Sequence, residues 1–167
     1  MKKSWIIIGG LVLLGIILFS TIKGTYNGLV SMEEKVNKSW ADVQGAYQRR
    51  ADLIPNLVST VKGYANHEQQ TLIKVIEERA KATQTTMNID PTKLDEASLA
   101  KFQKAQDEMG SSLSRLLVTV EQYPDLKANQ NFLQLQAQLE GTENRINVER
   151  RNFNESVNTF NSKLRSF

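Results

Sequence analysis

The sequence predicts an all-α protein: an N-terminal transmembrane helix followed by an elongated antiparallel bundle of four-helix type. Three observations carry that expectation. Ser4 to Ile22 is a run of nineteen residues without a charge. Beyond it, apolar residues recur at steps of three and four over long stretches, which keeps one helical face apolar. No segment alternates with period two for long, and glycine is sparse outside the anchor, so strands are not expected.

The uncharged run, SWIIIGGLVLLGIILFSTI, defines an anchor over residues 1–23. A helix of roughly 20 apolar residues crosses a bilayer core, and Lys3 and Lys23 bracket this one. Trp5 sits at the start, where an aromatic ring favours the headgroup level. The run exceeds the roughly 7–15 apolar residues of a signal-peptide core, and Ser20 and Ile22 fit a cleavage site poorly, so an uncleaved anchor is expected. Gly9, Gly10 and Gly15 do not form the GxxxG spacing of helix dimers. Lys2, Lys3 and the amino terminus precede the anchor, and Lys23, Lys35 and Lys38 follow it. The nearer cluster favours a cytoplasmic N-terminus and an exported bundle.

Residues 24–167 are assigned to the bundle. The first stripe runs Leu29, Met32, Val36, Trp40, Val43, Tyr47, then, after a gap at Arg50, Ile54, Leu57, Val61 and Tyr64. Pro55 interrupts it and predicts a kink or break near residues 50–55, with Asp52 available to cap a new start. Gly24 and Gly28 weigh slightly against one helix continuing from the anchor into this stripe. A second stripe passes through Leu72, Val75 and Ile76 to about Ala82, and Asp90-Pro91 marks a turn. The third is Leu99, Phe102, Gln106, Met109, Leu113, Leu116, Val120 and Tyr123, stopping at Pro124. The fourth runs Phe132, Leu135, Leu139, Thr142, Ile146, Glu149 or Arg150, Phe153, Val157, Phe160, Leu164. Such stripes bury one another in an antiparallel bundle, and one of about 35 residues spans roughly 50 Å. A coiled-coil oligomer is the alternative, and the three prolines weigh against it.

Charge narrows the partners. Of 21 Lys and Arg, Lys2, Lys3 and Lys23 flank the anchor; the remaining 18 balance 18 Asp and Glu, leaving residues 24–167 neutral. Nucleic acid, which needs a clustered positive face, is not an expected partner. Cysteine is absent, which removes disulfides, thiolate nucleophiles and zinc–cysteine sites. The single histidine, His67, lacks a second histidine four residues on, and a di-iron bundle needs two. The pairs Glu33-Glu34, Glu77-Glu78 and Asp95-Glu96 read as solvated faces rather than acid–base pairs. No catalytic residue, metal or cofactor is therefore expected.

Charges on the apolar stripes are more unusual. Arg50 occupies a seam position beside Arg49, and Glu143, Arg145 and Glu149-Arg150-Arg151 surround the fourth seam. These blocks also carry a resemblance. RRADLIPNLV (49–58) followed by VKGYANHE (61–68), YNGLVSMEEKVNKSWADV (26–43) and EQYPDLKANQNFLQLQAQLEGTENRINVERRNFN (121–154) resemble the LemA family over nearly the whole chain after the anchor. The resemblance implies a membrane anchor with an elongated helical bundle in the bacterial envelope, and no known catalytic activity, metal or cofactor. Matching positions are Arg49, Arg50, Asp52, Pro55 and Asn56 in one block, and Glu121, Tyr123, Pro124, Asp125, Glu143, Asn144, Arg145 and Asn154 in the other. Two departures stand out. Family members continue with a Phe-Pro pair and an apolar tail where this sequence stops at Phe167, and some relatives carry a lipid-modified cysteine.

These residues have two readings. They are bundle-building positions, with Asn56 satisfying carbonyls freed by Pro55 and Tyr123-Pro124-Asp125 turning the chain between helices. Alternatively, Arg49 and Arg50 with Glu121 or Glu143 form a surface for another envelope protein. The functional expectation is a non-enzymatic scaffold or adaptor, held in the lipid bilayer through residues 4–22. The alternatives are a sensor relaying a bundle change through the anchor, which requires a helix continuous with it, and a hydrolase, which requires a pocket of converging carboxylates. Oligomeric state is left open.

Overall fold

The computed structural model describes residues 2–65, 68–87 and 95–166, with side chains given from Ile8 onward except Met87. His67, the Asp90-Pro91 turn and the side chain of Trp5 lie outside the described parts. The described residues form five helices and no strand: α1 (Lys2–Lys62), α2 (Gln69–Met87), α3 (Glu96–Val120), the single turn α4 (Pro124–Lys127) and α5 (Gln130–Arg165). The expected all-α bundle with an apolar N-terminal helix is what the chain adopts.

The caps are local chemistry. Asp95 accepts a hydrogen bond from the Ser98 N–H at 2.6 Å to start α3, and Asn129 accepts one from the Phe132 N–H at 3.1 Å to start α5. Pro124 opens α4, where its missing N–H has no intrahelical role. Asn129 also donates to the Tyr64 hydroxyl at 2.9 Å, and Tyr123 donates to Glu68 at 3.0 Å, so the end of α1 is tied to the start of α5.

α1 and α5 pack along one another in strict antiparallel register. Trp40 meets Phe153 and, ten residues on, Arg50 meets Glu143, ten residues back. α2 packs on α3 and on α1. The core has two parts. The larger includes Ile54, Leu57, Val61, Val75, Met109, Leu116, Leu126 and Phe132. The smaller, toward the anchor, is aromatic: Trp40, Tyr47, Phe102 and Phe153 have ring centroids 5.1–5.2 Å apart, an edge-and-tilt geometry worth about 1 kcal/mol per pair beyond burial. Burial begins at Ser39, and residues 8–24 of α1 are exposed all round. That segment belongs to the one described helix long and apolar enough to cross a membrane.

Several expectations are corrected. α1 neither breaks near Pro55 nor pauses at Gly24 and Gly28, and it runs for 61 residues, roughly 90 Å at 1.5 Å per residue. No described glycine has positive φ, and a helical glycine costs only about 1 kcal/mol. Pro55 deprives the Ala51 carbonyl, four residues back, of its N–H partner. The replacement comes from another helix, because Arg79 of α2 donates its Nε–H to the Ala51 oxygen at 2.7 Å. Neither Asp52 nor Asn56 does this work. Asp52 accepts from Gln48 at 2.8 Å, and the Asn56 carbonyl accepts from Thr60 at 2.9 Å. Tyr64, Ile76 and Leu164 sit at stripe positions yet are about half exposed: Tyr64 and Leu164 lie at the ends of the helical packing, and Ile76 is rotated by about 100° from buried Val75 beside it.

An orphaned buried carbonyl costs about 1–3 kcal/mol. Replacing Arg79 by Ala is therefore expected to destabilise the bundle by about that amount while Pro55 is present. In a Pro55→Ala background the restored N–H serves Ala51, and the same substitution is expected to cost much less. Urea unfolding of the four proteins of this double-mutant cycle, followed by circular dichroism, measures the coupling.

Candidate functional site

The seam position left open in the first apolar stripe is filled by a cation. Arg50 is 5% exposed and lies between the two parts of the core. Its Nη1 donates to Glu143 of α5 at 2.9 Å. Its Nη2 donates to both the backbone oxygen and the Oε1 of Gln106 of α3, each at 3.0 Å. The guanidinium carbon stands 5.1 Å from the centroid of the Tyr47 ring, a cation–π distance. Gln106, 2% exposed, continues the chain of bonds by donating to the Thr86 hydroxyl at 3.0 Å on α2. One polar layer thus touches all four long helices. Above it a groove of about 500 Å³ opens between α3 and α5, floored by Leu113, Leu117 and Leu139.

Local sequence explains why the layer can exist. Arg50 and Gln106 each stand at a seam position of a stripe that is otherwise apolar, so both side chains are carried inward. The antiparallel register then brings Glu143 level with them. Glu143 keeps half its surface in water, which limits the desolvation cost of the pair. Burial is the main cause pushing the Tyr47 phenol above its ordinary value, and the nearby Arg150 and Arg50 oppose it.

The sequence-singled residues do not form one patch. Arg50 and Glu143 come together inside. Arg49 and Arg145 are exposed and line a different groove, between α1 and α5, with Asp42. Arg145 also bridges the buried Glu149 at 2.5 Å on its own helix, and Asn144 is exposed. Asp52, Pro55 and Asn56 are exposed on α1. Glu121, paired with Lys127, stands with half-buried Tyr123, Pro124 and Asp125 at the tip, about 20 Å along α3 from Gln106 at 1.5 Å per residue. A surface combining Arg50 with Glu121 is therefore not formed.

Sequence reading missed Gln106 as a polar partner, although a lone Gln in an apolar stripe is a visible signal. It also treated Glu78 as solvated. Glu78 is 3% exposed, and its Oε1 accepts from Lys74 at 2.6 Å and Lys81 at 3.0 Å while Oε2 has no partner. Hydrogen bonds from Lys74 and then Lys81 hold this carboxyl below its ordinary range, against the effect of burial. Among the described residues no cluster of His, Asp or Glu is arranged to hold a metal ion.

Comparison with known proteins places this architecture. The model of the LemA family matches residues 39–167, beginning at the residue where burial begins. The chain belongs to the LemA family. Protein LemA of Metamycoplasma hominis is 29% identical over 166 residues, covering 99% of this chain and 71% of that protein. The magnetosome protein MamQ of Magnetospirillum gryphiswaldense is 24% identical over 157 residues, 85% of this chain and 58% of that protein. The LemA-family match includes Arg50, Gln106 and Glu143, so the polar layer lies wholly within the family region.

Replacing Arg50 by Leu is expected to destabilise this bundle by about 3 kcal/mol, because Gln106 is left buried without its donor. Glu143→Gln, with its half-exposed carboxylate, is expected to cost about 1 kcal/mol or less. Equal effects in chemical unfolding would refute an internal role. For Glu78, the depressed value in the fold means that ionisation stabilises the protein above the ordinary carboxylate range. That contribution is lost as pH falls through the folded-state value. Glu78→Gln is expected to cost about 1 kcal/mol at neutral pH, since the lysine ends are exposed. The gap should close in acid, as unfolding at several pH values would reveal.

Proposed function

We propose that this LemA-family protein is a single-pass membrane protein of the bacterial envelope whose bundle serves as a non-enzymatic scaffold or adaptor for other envelope proteins. In this reading the bundle stands on the extracytoplasmic side of the cytoplasmic membrane, the orientation favoured by the lysines before the anchor. The observation that carries it is the uninterrupted course of α1 from the apolar segment to the tip of the bundle. A helix has no soft joint where its backbone ladder is intact, so side-chain surfaces on the bundle are held at fixed height and rotation above the bilayer. The non-enzymatic part is supported by the interior, where both Nη groups of Arg50 and the side-chain amide of Gln106 are engaged in contacts across α1, α2, α3 and α5, leaving the Arg50 Nε–H alone without a partner in that layer.

Photo-crosslinking in cells from exposed positions such as Arg49, Asn144 and Asp125 tests the adaptor reading. A reproducible envelope protein captured from one face is the expected result, and no partner from any face counts against it. Protease accessibility in cells with the outer layer opened tests the orientation.

A second reading, a sensor that relays bundle changes through the anchor, is favoured by the same continuity of α1, which carries a shift in the Arg50 layer toward the bilayer. Replacing Gly24 and Gly28 by proline separates the two. An adaptor keeps its captured partner, whereas a relay keeps its place in the membrane and loses its response.

A further inference from the structure

Residues 24–167 are neutral in sum, but the fold sorts their charges onto different faces. Between α2 and α3 run two contiguous grooves, of about 710 and 560 Å³, that share Lys81, Lys104 and Glu108. Lys74, Lys101 and Arg115 also line them. The opposing acids are Asp107, Glu108 and Glu78, and Glu78 is buried beneath Lys74 and Lys81. The face is therefore basic.

On the other side of α3, the α5 wall has the opposite sign. Leu133, Glu140, Glu143 and Asn147 are spaced by seven, three and four residues, which places them along one ridge of α5. All four have substantial solvent exposure. Glu140 and Glu143 are its charges; Arg50 beneath them is buried, and half-buried Arg150 lies one turn beyond the Asn147 end.

The two faces lie at one height. Arg50 bonds Glu143 and Gln106 together, which sets the Glu143 end of the ridge level with the Lys104 end of α3. Because α3 and α5 are antiparallel, Leu133 lies toward the level of Arg115. Copies held by the same α1 in one membrane would share their axis and their height, which would set the basic groove of one level with the acidic ridge of the next.

We propose that the Leu133–Asn147 ridge of one copy seats in the basic α2–α3 groove of a neighbouring copy, building a side-by-side, head-to-tail row in the membrane. Exposed ion pairs are individually weak. Confinement to a shared bilayer with fixed orientation raises the effective concentration, so a weak, repeated contact suffices. The groove and ridge are different surfaces, so the contact is heterologous and has no two-fold axis. The partner here is the chain itself, and the outcome is independent of whether an adaptor partner exists.

The natural absence of cysteine makes the test direct. Full-length chains carrying Gln103→Cys in the groove and Asn147→Cys on the ridge are co-expressed with different tags and treated in native membranes with a short bismaleimide. The mixed pair is expected to crosslink severalfold more than either variant with itself. It should also exceed a pairing of Gln103→Cys with Gln138→Cys, which lies in the α1–α5 groove. Adding Glu140→Lys to the ridge copy should remove the product, and Lys104→Glu in the groove copy should restore it. Circular dichroism of each variant is expected to show the helices intact. Like-with-like crosslinks that equal the mixed yield would overturn the proposal. So would a mixed yield no greater than the control, or one indifferent to the charge reversal.

Discussion

The Arg50 guanidinium is the interaction on which the arrangement of the bundle depends. It is a permanent charge in a seam that is otherwise apolar, and its two Nη groups are met by acceptors from two other helices while its buried Nε–H has no partner. Glu143 fixes α5, and the two oxygens of Gln106 fix α3. Gln106 then extends the constraint to Thr86 of α2. Apolar stripes alone tolerate a slide by one turn, since leucine and valine in a neighbouring layer fill similar space. A buried cation does not, because a slide would leave it without acceptors. Stability comes mainly from the apolar layers on either side, and the polar layer selects the register in which they pack.

The second constraint is the integrity of α1. A proline inside a 61-residue helix would ordinarily be its weak point. Here the defect is repaired from outside, by Arg79 reaching the Ala51 carbonyl. The repair has a structural consequence, because it joins α2 to α1 where α1 would otherwise yield. The apolar N-terminal segment and the first bundle helix are consequently one element, and this continuity underlies both functional readings. The interior arginine ties α1 to α3 and α5, and the continuous helix joins that bundle to the apolar N-terminal segment.

Much of the fold was legible in the chain. The third stripe, from Phe102 to Val120, is buried at every position named, because α3 is covered by neighbours along its length. The fourth is buried from Phe132 to Phe153, apart from half-buried Leu135, and then loosens toward Leu164 near the end of α5. The candidate site was less legible. Arg50 and Glu143 were singled out and do meet, but Arg49 and Arg145, adjacent to or near them in sequence, face another groove. One residue along a helix is a rotation of 100°, so neighbours in sequence are strangers in space. Glu78 was read as solvated because its pairing with Glu77 suggested an exposed face, whereas α2 turns only the second of the two inward.

The sequence by itself determined the helical class, a segment long and apolar enough to cross a membrane and the faces that pack, because hydrophobic periodicity and length are local properties of the chain. It also exposed the conflict at Arg50 and the defect at Pro55. Only the tertiary structure decided how each was resolved: by Gln106 and Glu143 for the arginine, and by Arg79 for the carbonyl behind the proline. These partners lie 28 to 93 residues away in the chain. No local pattern specifies which distant donor or acceptor will stand opposite, since that follows from the packing of whole helices.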